Sequence, residues 1–116
     1  MSKILGVGVD IVEVKRFKEK PYNKNKKFYG KIFLNSEIEY CLKFKSASEH
    51  FAGKFALKEA VKKALDENID FVNIETYHLK SKPKIRLKNE NSNKYNFICS
   101  ISHEKKYAIG FVVLQK

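Results

Sequence analysis

The run Phe51-Ala52-Gly53-Lys54-Phe55-Ala56-Leu57-Lys58-Glu59-Ala60 sets the architecture of this chain. It sits inside a longer helical pattern, about residues 47–66. On a helical projection Gly53, Ala56, Leu57, Ala60, Val61, Ala64 and Leu65 form a wide apolar stripe, which Phe51 and Phe55 extend. A helix with that much apolar surface is central and packed from more than one side. Ser46-Ala47-Ser48-Glu49 provides its start signal, a small polar residue followed three positions later by glutamate. Lys54, Lys58 and Lys62 are expected to carry the surface charge of this helix.

Upstream, Asn35-Ser36-Glu37-Ile38-Glu39 repeats the start signal, with Ser36 as cap and Glu39 closing the box. From Val12 to about Lys20, Val14 and Phe17 lie among charges, which predicts a short basic helix stopped by Pro21. Residues 21 to 31 read as loop plus a turn of helix. Ile4 to Val9 reads as a strand, apolar on both faces, with Asp10 at its end. Gly6 and Gly8 weaken a strand unless a backbone or ligand approaches closely.

Downstream of Asp70 the period changes. Phe71 to Leu79, Lys84 to Lys88, Asn96 to Ser102 and Tyr107 to Leu114 read as strands rich in β-branched and aromatic residues. Asn89 to Lys94 is expected to turn, and Glu104 to Lys106 to join the last two strands as a hairpin. The expected class is α+β, one central helix on a mainly antiparallel sheet, in a single domain over residues 1–116.

A chain of 116 residues with 43% hydrophobic content has a core sufficient to fold alone or as a small oligomer. Its longest apolar run, Ala108 to Leu114, falls far short of the ~20 residues that span a bilayer. The N-terminus lacks a signal-peptide pattern, so a cytoplasmic location is expected. Cys41 and Cys99 have no metal-type spacing and read as small, partly buried thiols. The net charge of +11 is unevenly spread. Lys15, Arg16, Lys18, Lys20, Lys24, Lys26, Lys27 and Lys31 stand against Glu19 alone. Such a patch speeds encounter with a polyanion and makes binding salt-sensitive. Charge alone does not choose among nucleic acid, an anionic membrane, an acidic protein and a solvated surface.

Three positions carry chemistry. Asp10 and Glu59, from different segments, suit Mg²⁺, which takes one or two carboxylates and completes its octahedron with waters and phosphates. Taken singly, Asp10 also suits a helix cap, and Glu59 a surface ion pair with Lys63 one turn on. His103, closing Ser100-Ile101-Ser102-His103, is the third; by itself such a histidine is more often a structural turn residue than a catalytic one. No His/Cys cluster suggests zinc, and Gly6-Val7-Gly8 precedes no helix, so it is no dinucleotide fingerprint. Carboxylates beside cations point toward metal-assisted transfer of a phosphorylated group.

Taken in order, Gly6-Val7-Gly8-Val9-Asp10-Ile11 with Arg16, then Phe51 to Ala60, then Ser100 to His103, resemble the holo-[acyl-carrier-protein] synthase family of 4′-phosphopantetheinyl transferases. The resemblance spans nearly the whole chain. It implies transfer of the phosphopantetheine arm of coenzyme A to a serine of an acidic acyl carrier protein, in fatty acid biosynthesis, with release of 3′,5′-ADP. It assigns Asp10 and Glu59 to Mg²⁺, Lys63 to the charge developing on the transferred phosphate, and Lys54 and His103 to the coenzyme. Asp10, Glu59 and Lys63 together form the catalytic set. Arg16, with Lys24 and Lys27 beside it, is assigned to the carrier protein, and a homotrimer with sites between subunits is implied.

Three departures from the family pattern stand out. Asp66-Glu67-Asn68 replaces a usual Gly-Thr-Gly, putting carboxylates where backbone would approach phosphate; Ser81-Lys82-Pro83 replaces a Gly-x-Pro turn. Lys54 stands where arginine is usual and keeps the charge without the bidentate fork. The competing readings are a small basic nucleic-acid-binding protein, which leaves Asp10, Glu59 and His103 without a role, and a catalytically idle partner-binding module.

Overall fold

The computed structural model describes residues 3–88 and 94–116. The turn expected at Asn89 to Lys94 lies, apart from Lys94, outside them. In chain order the elements are β1 (Ile4–Glu13), α1 (Lys15–Lys18), α2 (Lys26–Gly30), α3 (Asn35–Leu42), α4 (Ala47–Leu65), β2 (Ile74–Leu79), β3 (Lys82–Leu87), β4 (Asn96–His103) and β5 (Tyr107–Gln115). Short 3-10 turns cover Tyr22–Lys24 and Phe71–Asn73. The α+β expectation holds: β1, β5 and β4 form one antiparallel sheet in that order, and β2 pairs with β3 in a second.

Helix α4 lies across the three-stranded sheet, and glycines allow it to sit close. A Cβ built at Gly6 would overlap the Ala64 carbonyl oxygen, and one at Gly8 the Ala60 carbonyl oxygen. Gly110 on β5 faces the backbone of Ala56 and Leu57 in the same way. The glycines that weaken β1 as an isolated strand are what let helix and sheet backbones touch. Alternation does the rest. Ala108, Gly110, Val112 and Leu114 face α4 and are buried, while their neighbours Tyr107, Ile109 and Phe111 face outward.

Two clusters of buried side chains flank α4. In the first, the Phe17 ring lies 5.8–6.3 Å from the rings of Phe28, Tyr29, Phe33, Phe51 and Phe55, which anchors the short helices of the basic segment. In the second, Leu57 and Val61 meet Ile74, Leu87 and Val112.

Several local expectations are corrected. Asp10 is not at the end of its strand, because β1 continues to Glu13, paired with β5 without a break from Gly6 onward. Helix α1 therefore starts only after Val14. Ser36 does not cap α3; the Leu34 N–H donates to Glu37 Oε1 at 2.7 Å, two positions earlier than the Ser36–Glu39 pattern. Ser46 makes no side-chain cap either: the Glu49 N–H donates to the Ser46 carbonyl at 3.0 Å, and the Glu49 carboxylate turns to His103. Phe71 to Asn73 is a 3-10 turn rather than strand.

The largest correction concerns Lys54 and Lys58, which are 2% and 0% exposed rather than on the surface. Lys58 donates to Glu37 Oε1 at 2.7 Å and to the carbonyls of Ile32 and Phe71 at 2.8 and 3.0 Å. Three acceptors, one of them charged, make its burial tolerable.

Candidate active site

Asp10 reaches the site from the α4-facing side of β1. Its side chain is 20% exposed, and Oδ1 lies 3.2 Å from Lys63 Nζ. Lys63 also donates to the Val9 carbonyl at 3.0 Å. The helical spacing offered Glu59 as partner for Lys63; the close contact of β1 with α4 gives Lys63 to Asp10 instead. Glu59 makes no ion pair among the described residues. It borders, with Lys62, Lys63 and Asp66 to Asn68, a shallow depression of about 400 Å³. Lys63 thus joins the two elements: it is paired with Asp10 of β1 and borders the same depression as Glu59 on α4.

These donors fit a hard divalent cation. Both are carboxylates, and no group of three or more His, Cys, Asp or Glu that could hold an ion occurs among the described residues. Two protein oxygens leave positions for water and phosphate, the arrangement Mg²⁺ favours.

Lys54 and His103 lie elsewhere. They line a cavity of about 520 Å³ that shares no residue with the Glu59 depression. His103 Nδ1 is 3.0 Å from Glu49 Oε1. A carboxylate only accepts, so Nδ1 carries the proton and Nε2 is left for a ligand. Lys54 donates to Thr76 Oγ1 at 3.0 Å and lies 4.8 Å over the Tyr40 ring. Burial pushes its ammonium below the ordinary lysine range.

Two further histidines line the same cavity, and sequence reasoning missed both. His50 stacks on Phe44 at 3.7 Å, and His78 stacks on Tyr40 at 4.3 Å. Burial holds His78 down to about 4, and its Nδ1 is the one buried side-chain polar atom without a partner among the described residues. His50 is lowered by burial and by nearby His103. A signal existed: all three histidines of the chain stand here, among aromatic residues.

Arg16, Lys24 and Lys27 are exposed on α1, the following 3-10 turn and α2. The Arg16 guanidinium lies 5.0 Å over the Phe55 ring.

At the end of α4, Asp66 takes a left-handed backbone, φ 54°, the conformation glycine adopts without cost. Lys80 and Ser81, at φ 52° and 68°, form the two-residue turn between β2 and β3. The departures at residues 66–68 and 81–83 thus begin at positive-φ positions.

The model of the 4′-phosphopantetheinyl transferase superfamily matches residues 6–112. The chain belongs to this superfamily. Among its relatives, the holo-[acyl-carrier-protein] synthase of Thermodesulfovibrio yellowstonii is 46% identical over 115 residues, covering 96% of this chain and 98% of the relative. The crystal structure of a holo-(acyl-carrier-protein) synthase from Bacillus anthracis, in complex with CoA (3′,5′-ADP), is similar with a TM-score of 0.81 and 31% identity, covering 97% of each chain. The Helicobacter pylori synthase in complex with coenzyme A has a TM-score of 0.81 and 35% identity, over 93% of this chain and 98% of that one. Superfamily membership agrees with the fold and with the three ordered motifs. No helix of the described residues is long and apolar enough to cross a membrane.

Proposed function

We propose that this chain transfers the 4′-phosphopantetheine group of coenzyme A to a serine of an acidic acyl carrier protein, Mg²⁺-dependently, releasing 3′,5′-ADP. The observation that carries the reading is the pairing of Asp10 with Lys63, which stands one helical turn from Glu59, in a member of this superfamily whose relatives bear that activity in their names.

Asp10 and Glu59 would hold the ion, which, when bound, would neutralise the pyrophosphate of the coenzyme and orient it. Lys63, paired with Asp10, would neutralise the charge that grows on the transferred phosphate. Positioning and charge neutralisation dominate phosphoryl transfer, so the enzyme needs no strong nucleophile of its own. The attacking serine belongs to the carrier protein. Glu59, free of an ion pair among the described residues, or a water on the ion would take its proton. The basic segment with Arg16, Lys24 and Lys27 suits an acidic partner, and its charge speeds encounter. Nucleic acid explains the charge but gives the carboxylates no role. The unpaired thiols of Cys41 and Cys99 suit a reducing, cytoplasmic compartment.

The active assembly in this proposal is a homotrimer. The outer face of the three-stranded sheet is apolar and bare, with Val7, Val9, Ile11 and Ile98 each more than half exposed and Ile109 and Phe111 beside them. A contiguous apolar face of this kind needs a cover. A neighbouring copy would also bring its Lys54–His103 cavity toward the Asp10–Glu59 pair, which one chain keeps apart. Asp10 and Glu59 then come from the same subunit.

The test is transfer by Asp10→Ala and Glu59→Ala proteins that remain folded, with the mass in solution read by light scattering. Loss of transfer in both, from a trimeric parent, is expected. Unchanged activity in both removes the metal assignment, and an active monomer removes the trimer.

A further inference from the structure

Glu37 is fully buried, and both of its oxygens are saturated. Oε1 accepts the Leu34 N–H and Lys58 Nζ, each at 2.7 Å. Oε2 accepts the Thr76 N–H at 2.7 Å and the Thr76 hydroxyl at 2.6 Å. A carboxylate oxygen can only accept, so the Thr76 hydroxyl proton is committed to Glu37. The lone pairs of Thr76 Oγ1 are thereby turned toward Lys54 Nζ, 3.0 Å away.

The charges along this chain of contacts do not cancel. Lys58 balances Glu37. Lys54 has no carboxylate within ion-pair distance among the described residues, and it is 2% exposed. Its two hydrogen bonds both go to Thr76, at Oγ1 and, at 3.4 Å, at the carbonyl. An ammonium has three donors, so one remains for a ligand in the cavity that Lys54 lines. A buried cation without a counter-charge on the wall of a cavity is set up for an anion. A lysine on a four-carbon stem serves that purpose only if its head is held, since ordering it at binding costs affinity.

We propose that Thr76 is a positioning residue for coenzyme binding: its hydroxyl, oriented by Glu37, fixes the Lys54 ammonium as the phosphate anchor of the cavity. This rests on the reading of that cavity as part of the coenzyme site. Thr76 touches no reacting atom and acts through Lys54. The anchor serves ground state and transition state alike, so its loss falls on KM and leaves kcat in place.

The experiment compares Thr76→Val, Thr76→Ser and Lys54→Met in carrier-protein transfer with coenzyme A varied, alongside thermal melts. Thr76→Val should raise the coenzyme KM about tenfold with kcat within about twofold, Thr76→Ser should stay near the parent, and Lys54→Met should raise KM at least as far. Should the valine variant not fold, Thr76→Ala takes its place. An unchanged KM in Thr76→Val, beside a raised one in Lys54→Met, overturns the positioning role alone. Equal losses in the serine and valine variants overturn it too, because the hydroxyl is then not what matters. If Lys54→Met leaves KM unchanged in an active enzyme, the assignment of the cavity to the coenzyme fails instead.

Discussion

Replacing Lys58 by methionine tests the buried network directly. The ammonium is 0% exposed and serves three acceptors: Glu37 Oε1 at 2.7 Å, the Ile32 carbonyl at 2.8 Å and the Phe71 carbonyl at 3.0 Å. Methionine keeps most of the volume and removes the charge. Glu37 is then a buried carboxylate with hydrogen bonds but no counter-ion, and two carbonyls lose their donor. Removing one partner of a buried pair typically costs about 3–5 kcal/mol. Against a total stability of about 5–15 kcal/mol, that is a large share. For a domain of this length each kcal/mol moves Tm by roughly 4 °C, so the melt should fall by about 12–20 °C. The double variant Glu37→Gln with Lys58→Met leaves no buried charge and should recover a substantial part of the loss. Thermal melts and guanidinium titrations followed by circular dichroism supply the numbers. A Lys58→Met protein within about 1 kcal/mol of the parent would refute the reasoning, since a charge so enclosed cannot be removed that cheaply.

Three further outcomes are expected. Gly8→Ala drives a methyl group into the Ala60 carbonyl, costs about 1–3 kcal/mol or more, and loosens Asp10 from Lys63; a protein melting with the parent contradicts the backbone contact. Burial holds His78 near 4 against an ordinary 6.5, so its contribution is complete above pH 6.5 and is lost as pH falls toward 4. Over that window His78→Phe, which preserves stacking on Tyr40, should show a flatter Tm profile, and parallel profiles would speak against a buried neutral imidazole. Asp66→Gly relieves a left-handed backbone worth about 1 kcal/mol and removes a carboxylate beside the Glu59 depression. Its melt should rise and its coenzyme KM fall; a raised KM means the pyrophosphate lies away from residues 66–68.

The parts of the fold that follow from local pattern were legible in the sequence. The stripe from Gly53 to Leu65 identified the central helix, and the β-branched and aromatic content of residues 107–114 identified the strand beneath it. Asp10, Glu59 and His103 stood out because each has a motif around it. Whatever depends on partners far along the chain was hidden. Lys54 and Lys58 look like surface residues by type, yet Glu37 and Thr76, 21 and 22 positions away, draw them inside. The same distance effect gave Lys63 to Asp10, 53 positions upstream, rather than to Glu59 on its own helix. The apolar character of β1 on both faces was visible, but its cause was not: one face meets α4, and the other is bare. The split of the candidate residues between two regions of one chain was equally invisible, since the sequence orders residues without locating them.

The most direct test of the account is intact mass spectrometry of an apo acyl carrier protein incubated with this enzyme, coenzyme A and Mg²⁺. The account predicts a gain of one phosphopantetheine per carrier protein, abolished by chelator and by loss of Asp10 or Glu59. No gain with several acidic carrier proteins, from a folded enzyme that still binds coenzyme A, would contradict it.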